Sequence, residues 1–392
     1  MSIGILTYHW VANYGANLQT ISTYKYLESK GYNPIVINWV PRDTYDYYTK
    51  NASTEQIEMH LSFIKSYCCI TYQFSDIEEF KTIISKYNIQ GIVIGSDSLF
   101  NIIPINKKRN EAHTSDHIFP NPFWGEGFLT LPHVGLSISS QNAPFKKFKQ
   151  NKEDISKYIN SFFALTVRDN WTRNMVAFFT NQKVIPTITP DPVFAFNSNV
   201  KEIPSKKEIL LKYNIPDNYV LFTFNPSRKF TQKWLDEIKT MFCKVGKTCV
   251  ALPKTTGNQK INLEYEIKFP IDPIDWYSLI KYSSGYVGVL MHPIIICLHN
   301  SVPFYSFDHY GDGYRMFTKK TSSKIYHILK EADLLNNHIL LKNTLKYPSP
   351  KKIFESIENF PIKQCQQFSK SQEEKILQNM KYLITKIVNN ER

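Results

Sequence analysis

Gly91-Ile92-Val93-Ile94-Gly95-Ser96-Asp97-Ser98-Leu99-Phe100-Asn101 decides how this chain is read. The apolar run Gly91 to Ile94 is short and stops at Gly-Ser-Asp, the pattern of a buried strand running into a turn. A helical pattern over Asp76 to Tyr87 precedes it. Outward in both directions the same alternation repeats. Strands are predicted at Ser2 to Leu6, Pro34 to Trp39, Val134 to Ile138 and Phe163 to Val167. Helices are predicted at Asn17 to Lys30, Glu153 to Phe162 and Thr172 to Thr180. Strands alternating with helices argue for parallel sheets with helical cover. After the polar stretch Asn197 to Lys206, which contains Pro204, a second series begins. It has strands at Tyr219 to Phe224, Thr248 to Leu252, Gly285 to Leu290 and Pro303 to Phe307, and helices at Lys207 to Tyr213, Thr231 to Lys244, Ile274 to Ser283 and Ile294 to His299. A last helix over Gln372 to Val388 places Ile376, Met380, Leu383 and Ile387 on one side.

The expected fold class is therefore α/β: two facing doubly wound, Rossmann-like domains with a long C-terminal helix. Expected boundaries are 1–200 for an N-terminal domain on the acceptor side, 201–370 for a C-terminal domain on the donor side and 371–392 for the helix. Chains of 392 residues exceed one ordinary core, which supports two domains. In open α/β sheets the ligand lies beyond the carboxyl ends of the strands, so residues just after strands are the ones to inspect.

Composition narrows the function. Hydrophobic residues make up 42%, normal for a globular protein. The longest mainly apolar run, Val287 to Leu298, is interrupted by His292 and Pro293 and falls short of a membrane span. The start, Met1 to Thr7, reads as a strand and not a signal peptide, so a cytoplasmic protein is expected. Six cysteines without a C-x-x-C pair are expected to be structural thiols. The net charge of +13 is spread over short basic groups. It suits solubility, an anionic substrate or an anionic membrane surface, while no nucleic-acid signature accompanies it. His113, Asp116 and His117 have helical spacing but no evident third metal ligand, and no metal is expected. Gly246-Lys247-Thr248 lacks the upstream glycine of a phosphate loop, since position 241 is Met.

Four segments after predicted strands carry candidate chemistry. Asn13-Tyr14-Gly15 opens a helix, where Gly15 permits a tight turn and free N–H groups can meet an anion. Ser96-Asp97 sits at a strand end, suited to proton transfer or to a helix cap. Arg168, before Asp169, offers a fork for carboxylate or phosphate, or an ion pair with a neighbouring acid. His292 can serve as general acid or base, or as a structural histidine.

Asn-Tyr-Gly-Ala-x-Leu-Gln at 13–19, Gly-Ser-Asp at 95–97, Val-Arg-Asp at 167–169, Asp191-Pro192, and His292 with Asn300-Ser301-Val302-Pro303 together resemble the polysaccharide pyruvyl transferase family. The resemblance runs from about Ile3 to Tyr310. It implies a GT-B-like fold, phosphoenolpyruvate as donor substrate with no separate cofactor, and a saccharide acceptor, often lipid-linked, met at the inner face of the membrane. It also implies catalytic roles for Asp97, Arg168 and His292, and substrate contacts for Asn13, Tyr14, Gly15 and Ser96. The sequence departs from the family at Ser98 and Phe100, where many members have Gln and Trp, and at Leu290, where members have Arg or Ser. The missing cation is expected from Arg228, with Lys229, after the strand Tyr219 to Phe224, or from Arg315. A glycosyltransferase using a nucleotide sugar, and a catalytically degenerate binding protein, are the alternatives.

Overall fold

The computed structural model describes residues 1–104, 114–223, 231–256, 262–308, 323–340 and 348–391. The chain forms two compact units. The first comprises residues 1–50, 60–201 and 373–392, and the second comprises 51–59 and 202–372.

The first unit is built on a six-stranded sheet: β1 (Ser2–Leu6), β2 (Asn33–Val36), β3 (Ile89–Asp97), β4 (His133–Ile138), β5 (Ala164–Val167) and β6 (Thr187–Ile188). The order is β2-β1-β3-β4-β5-β6, and every pairing is parallel. Strands buried on both faces read as continuous apolar runs, which is why Ile92-Val93-Ile94 shows no polar alternation. Leu6 pairs with Ile94, and Ile94 with Gly135, so the carboxyl ends of the central strands lie level.

The second unit repeats the plan with β7 (Tyr219–Thr223), β8 (Thr248–Ala251), β9 (Tyr265–Glu266), β10 (Gly285–Gly288), β11 (Phe304–Asp308) and β12 (His338–Leu340). Its order is β12-β11-β10-β7-β8-β9, again all parallel. In both sheets the winding reverses once, between β1 and β3 and between β7 and β10. Doubly wound sheets open a ligand crevice at that reversal.

Two helices in the first third lie outside the sequence expectation, Arg42–Thr49 and Thr54–Tyr67. The first is so rich in Tyr, Asp and Thr that intrinsic propensity gives no helical signal. The final helix is longer than its apolar stripe suggested and runs from Ile362 to Val388. In its second-unit part, Ser369 donates to the His299 carbonyl at 2.9 Å. In its first-unit part, Ile376, Met380, Leu383 and Ile387 are buried, as the spacing predicted, and Asn379 donates to the Thr166 hydroxyl at 3.2 Å. Among the described residues no helix is long and apolar enough to cross a membrane.

Two glycines show how tightly the first sheet closes. Gly95 has φ +131°, and a Cβ there would lie 2.1 Å from the Leu136 carbonyl oxygen, a backbone atom that cannot turn aside. At Gly135 the nearest atom, at 2.4 Å, is a methyl tip of Leu165. Gly95→Ala should therefore destabilise the protein by about 3 kcal/mol or more. Gly135→Ala should cost about 1 kcal/mol, because a leucine rotamer can give way. Chemical denaturation of the two variants tests this, and equal losses would contradict it.

Candidate active site

At the β1/β3 reversal the two strand ends are tied together. The Thr7 hydroxyl, one residue past β1, donates to the Ser96 carbonyl at 2.7 Å. The Ser96 hydroxyl is buried and donates to the Ser137 carbonyl at 2.7 Å. Ser96 thus sits in the bed of the site and joins three strands. Asp97 follows, nearly buried, with φ +121°. Such a backbone angle is rare outside glycine and costs about 1–3 kcal/mol, so surrounding contacts must impose it. Two of them are visible: the Ser139 amide donates to the Asp97 carbonyl at 2.8 Å, and the Ser98 amide donates to Asp97 Oδ1 at 2.6 Å. The carboxylate is therefore fixed at the crevice of the first sheet.

Arg168, one residue past β5, is buried beside it. Its Nη1 donates to Asp191 Oδ2 at 2.5 Å, and its Nη2 lies 3.6 Å from Asp97 Oδ1. Burial works against the guanidinium charge. Asp191, then Asp97 and Asp169, outweigh it and hold the group above its ordinary range. The anion clamp expected of Arg168 is thus occupied by the protein's own carboxylates, while its Nε has no hydrogen-bond partner among the described residues. Asp169 turns away to cap the helix Asn170–Phe179 through the Thr172 amide at 2.7 Å, and accepts from the Ser139 hydroxyl at 2.7 Å.

Asp191 is the residue that sequence reasoning passed over as a site member, although Asp191-Pro192 was visible as a motif. Wholly buried, it takes hydrogen bonds from Arg168, from Gln19 Nε2 at 2.5 Å and from the Val193 amide at 3.0 Å. Gln19 comes from the helix Tyr14–Ser29, so the Asn-Tyr-Gly-Ala-x-Leu-Gln segment is largely internal wiring. Asn13 is its exposed cap, accepting from the Ala16 amide at 3.3 Å, and Tyr14 and Gly15 are buried. Asn17 Nδ2 donates to the His9 carbonyl at 2.9 Å, and Asn17 Oδ1 meets His60 Nδ1 in a short hydrogen bond.

In the second unit, the β7/β10 reversal is pinned by one residue. The Val289 amide donates to the Thr223 carbonyl at 3.1 Å, and the Thr223 hydroxyl donates to the Leu252 carbonyl at 3.1 Å. The ends of β10, β7 and β8 are thereby fastened in a row. Leu290 is the N-cap of the helix Met291–Asn300 and provides no side-chain cap bond; His292 is in that helix's first turn and partly exposed. Arg228, Lys229 and Arg315 lie outside the described residues.

Two expectations follow from these buried groups. Asp191→Ala removes the closest counter-charge of a buried guanidinium and should cost about 3–5 kcal/mol of stability. A loss under 1 kcal/mol in chemical denaturation would overturn the assigned pairing. Burial pushes His60 down to about 3. Unfolded, an imidazole titrates near 6.5, so from about pH 6.5 to 3 the unfolded chain takes up a proton that the folded chain refuses. The stability contribution present above pH 6.5 is progressively lost as pH falls through that window. His60→Gln should flatten the acid side of the stability profile; an unchanged slope would refute this.

The same two-sheet plan occurs in solved structures. UDP-GlcNAc 2-epimerase from Neisseria meningitidis, bound to UDP-GlcNAc, superposes with TM-score 0.58 at 9% identity, covering 100% of both chains. S. aureus MnaA, solved with UDP, superposes with TM-score 0.54 at 10% identity, covering 99% of this chain and 97% of that one. At such identities the likeness establishes the fold alone, and that fold is GT-B-like. No curated protein sequence matches the chain. The model of one family, polysaccharide pyruvyl transferase, matches residues 13–310, from the Asn13 cap across both reversals. The chain belongs to the polysaccharide pyruvyl transferase family.

Proposed function

We propose that this protein transfers pyruvate from phosphoenolpyruvate to a saccharide and closes it there as a cyclic ketal. The observation that carries the reading is Asp97, a carboxylate locked at the reversal of the first sheet in a chain matched to this family. The acceptor on this reading is a polysaccharide precursor, lipid-linked and met at the inner face of the membrane.

The chemistry balances as follows. A proton adds to the donor's methylene carbon and makes it a methyl group, leaving an oxocarbenium-like centre at C2. One acceptor oxygen bonds to C2 and gives up its proton. The bond from C2 to the phosphate oxygen breaks and phosphate leaves. A second acceptor oxygen then bonds to C2 and loses its proton, closing the ketal. One hydroxyl proton balances the new methyl group and the other leaves with phosphate. Asp97 is assigned the acceptor hydroxyl, and His292 the proton delivered to the methylene carbon. Arg168 is a positioning residue: its Nη2, 3.6 Å from Asp97 Oδ1, orients that carboxylate.

Incubation with phosphoenolpyruvate and candidate saccharides should yield a product heavier by about 70 Da, the mass of pyruvate less one water. Asp97→Asn and His292→Ala should each lower turnover about 100-fold or more while leaving the fold intact. Phosphoenolpyruvate consumed by neither wild type nor any acceptor pair, with a nucleotide sugar consumed instead, would replace this reading by glycosyl transfer. Near-normal turnover in both folded variants would overturn the residue assignment.

A further inference from the structure

Phe145-Lys146-Lys147-Phe148-Lys149-Gln150-Asn151-Lys152 plays no part in the chemistry above, yet it carries four lysines and no acid. It forms the 3-10 turn Phe145–Asn151 and opens the helix Lys152–Ile159, all within the first unit. Phe145 is buried and Phe148 half-buried, whereas Lys146, Lys147 and Lys149 are exposed. None of these three lysines makes an ion pair with a described residue. Aromatic rings lie beneath them. Phe145 meets Trp171 and Phe178 at 5.4 Å between centroids, and Lys152 Nζ stands 4.7 Å over the Phe178 ring. Trp171 is half-buried and Arg173, in the same helix, is exposed. The acids next in sequence, Glu153 and Asp154, occupy the first turn of the helix Lys152–Ile159, where they suit its positive end.

The turn is firmly mounted beside Asp97. The connection that carries it leaves β4 through Ser139, whose amide bonds the Asp97 carbonyl. The Ser140 amide then donates to the Thr172 hydroxyl at 2.7 Å, and the Ala143 amide to the Ser140 carbonyl at 2.9 Å. Trp171 Nε1 donates to the Ala143 carbonyl at 3.0 Å, and the Lys147 amide to the Pro144 carbonyl at 2.8 Å. The basic turn is therefore a fixed rim at the carboxyl edge of the first sheet.

We propose that this rim docks the first unit on an anionic phospholipid surface. Lysine stems can lie along an apolar surface while their ammonium groups reach lipid phosphates, and Phe148 and Trp171 keep part of their rings at that surface. Each lysine close to an anionic leaflet strengthens binding about fivefold. A nucleic acid would meet the same charge but calls for rings open to base stacking. Here Phe145 is buried and the Trp171 N–H is engaged by Ala143. The inference rests on the proposed function only for its purpose, which is to bring a lipid-linked acceptor to Asp97.

Co-sedimentation with vesicles of phosphatidylglycerol and phosphatidylcholine, and of phosphatidylcholine alone, tests the surface. Wild type should bind the anionic vesicles only and be released at about 1 M salt, where screening is nearly complete. The combined variant Lys146→Gln, Lys147→Gln, Lys149→Gln should bind about 100-fold more weakly. A second variant, Lys351→Gln, Lys352→Gln, Lys363→Gln, makes the same charge change at exposed lysines of the second unit and should bind like wild type. Equal losses in the two folded variants would mean that the overall charge of +13 binds, not this rim, and would overturn the proposal. Wild-type binding indifferent to lipid charge would overturn it too, as would a rim variant that loses retention on poly(U) RNA but not on vesicles. The assay contains no phosphoenolpyruvate, so rim-dependent vesicle binding by a protein that transfers no pyruvate would uphold the surface and strike only the proposed function.

Discussion

A single buried ion pair organises the first unit. Arg168 and Asp191 meet at 2.5 Å with both side chains withdrawn from solvent. Neither charge would tolerate that environment alone, since desolvating one of them without its partner costs several kcal/mol. The pair therefore fixes everything that must converge to make it: the end of β5, the segment after β6, and Gln19 from the helix that follows β1. Asp97 stands on the far side of the guanidinium, 3.6 Å away, and inherits its orientation from this pair. A carboxylate placed like this owes its geometry to a buried group behind it.

The backbone at Asp97 points the same way. A positive φ at a non-glycine residue is stable only where neighbours over-determine it. Here the Thr7–Ser96, Ser96–Ser137 and Ser139–Asp97 hydrogen bonds sew β1, β3 and β4 together immediately around the residue. The glycine before it meets the Leu136 carbonyl so closely that no side chain fits. The Gly-Ser-Asp motif thus divides its labour: Gly95 gives clearance, Ser96 anchors, and Asp97 presents the carboxylate.

The second unit solves a different problem with lighter means. No buried ion pair spans its central strands among the described residues; Thr223 links three strand ends by its carbonyl and its hydroxyl, and the Leu252 amide adds a bond to the Phe222 carbonyl at 2.9 Å. Leu290 opens the helix Met291–Asn300 without a side-chain cap bond of its own, so that helix start is held by packing and backbone contacts.

How much of this was legible beforehand depends on the range of the interaction concerned. The alternation of strands and helices and the buried face of the last helix lie in local pattern, whereas the GT-B-like class came with the family resemblance. Apolar periodicity is a property of neighbouring residues, and β1 was located to the residue. The helices Arg42–Thr49 and Thr54–Tyr67 were not: the first is rich in Tyr, Asp and Thr and carries weak propensity, whereas the second was passed over although Ile57, Leu61 and Ile64 fall at helical spacing. Asp97, Arg168 and His292 could be singled out by type and by position after strands. Their relations could not: that Arg168 is taken up by Asp191 and Asp97, and that Gln19 faces Asp191 across 172 positions of chain. The sequence by itself determined which residues end strands, since that follows from local hydrophobicity and turn chemistry. Which of those strand ends are neighbours was decided by strand order, and strand order is a global property, set when distant segments bury their apolar surface against one another.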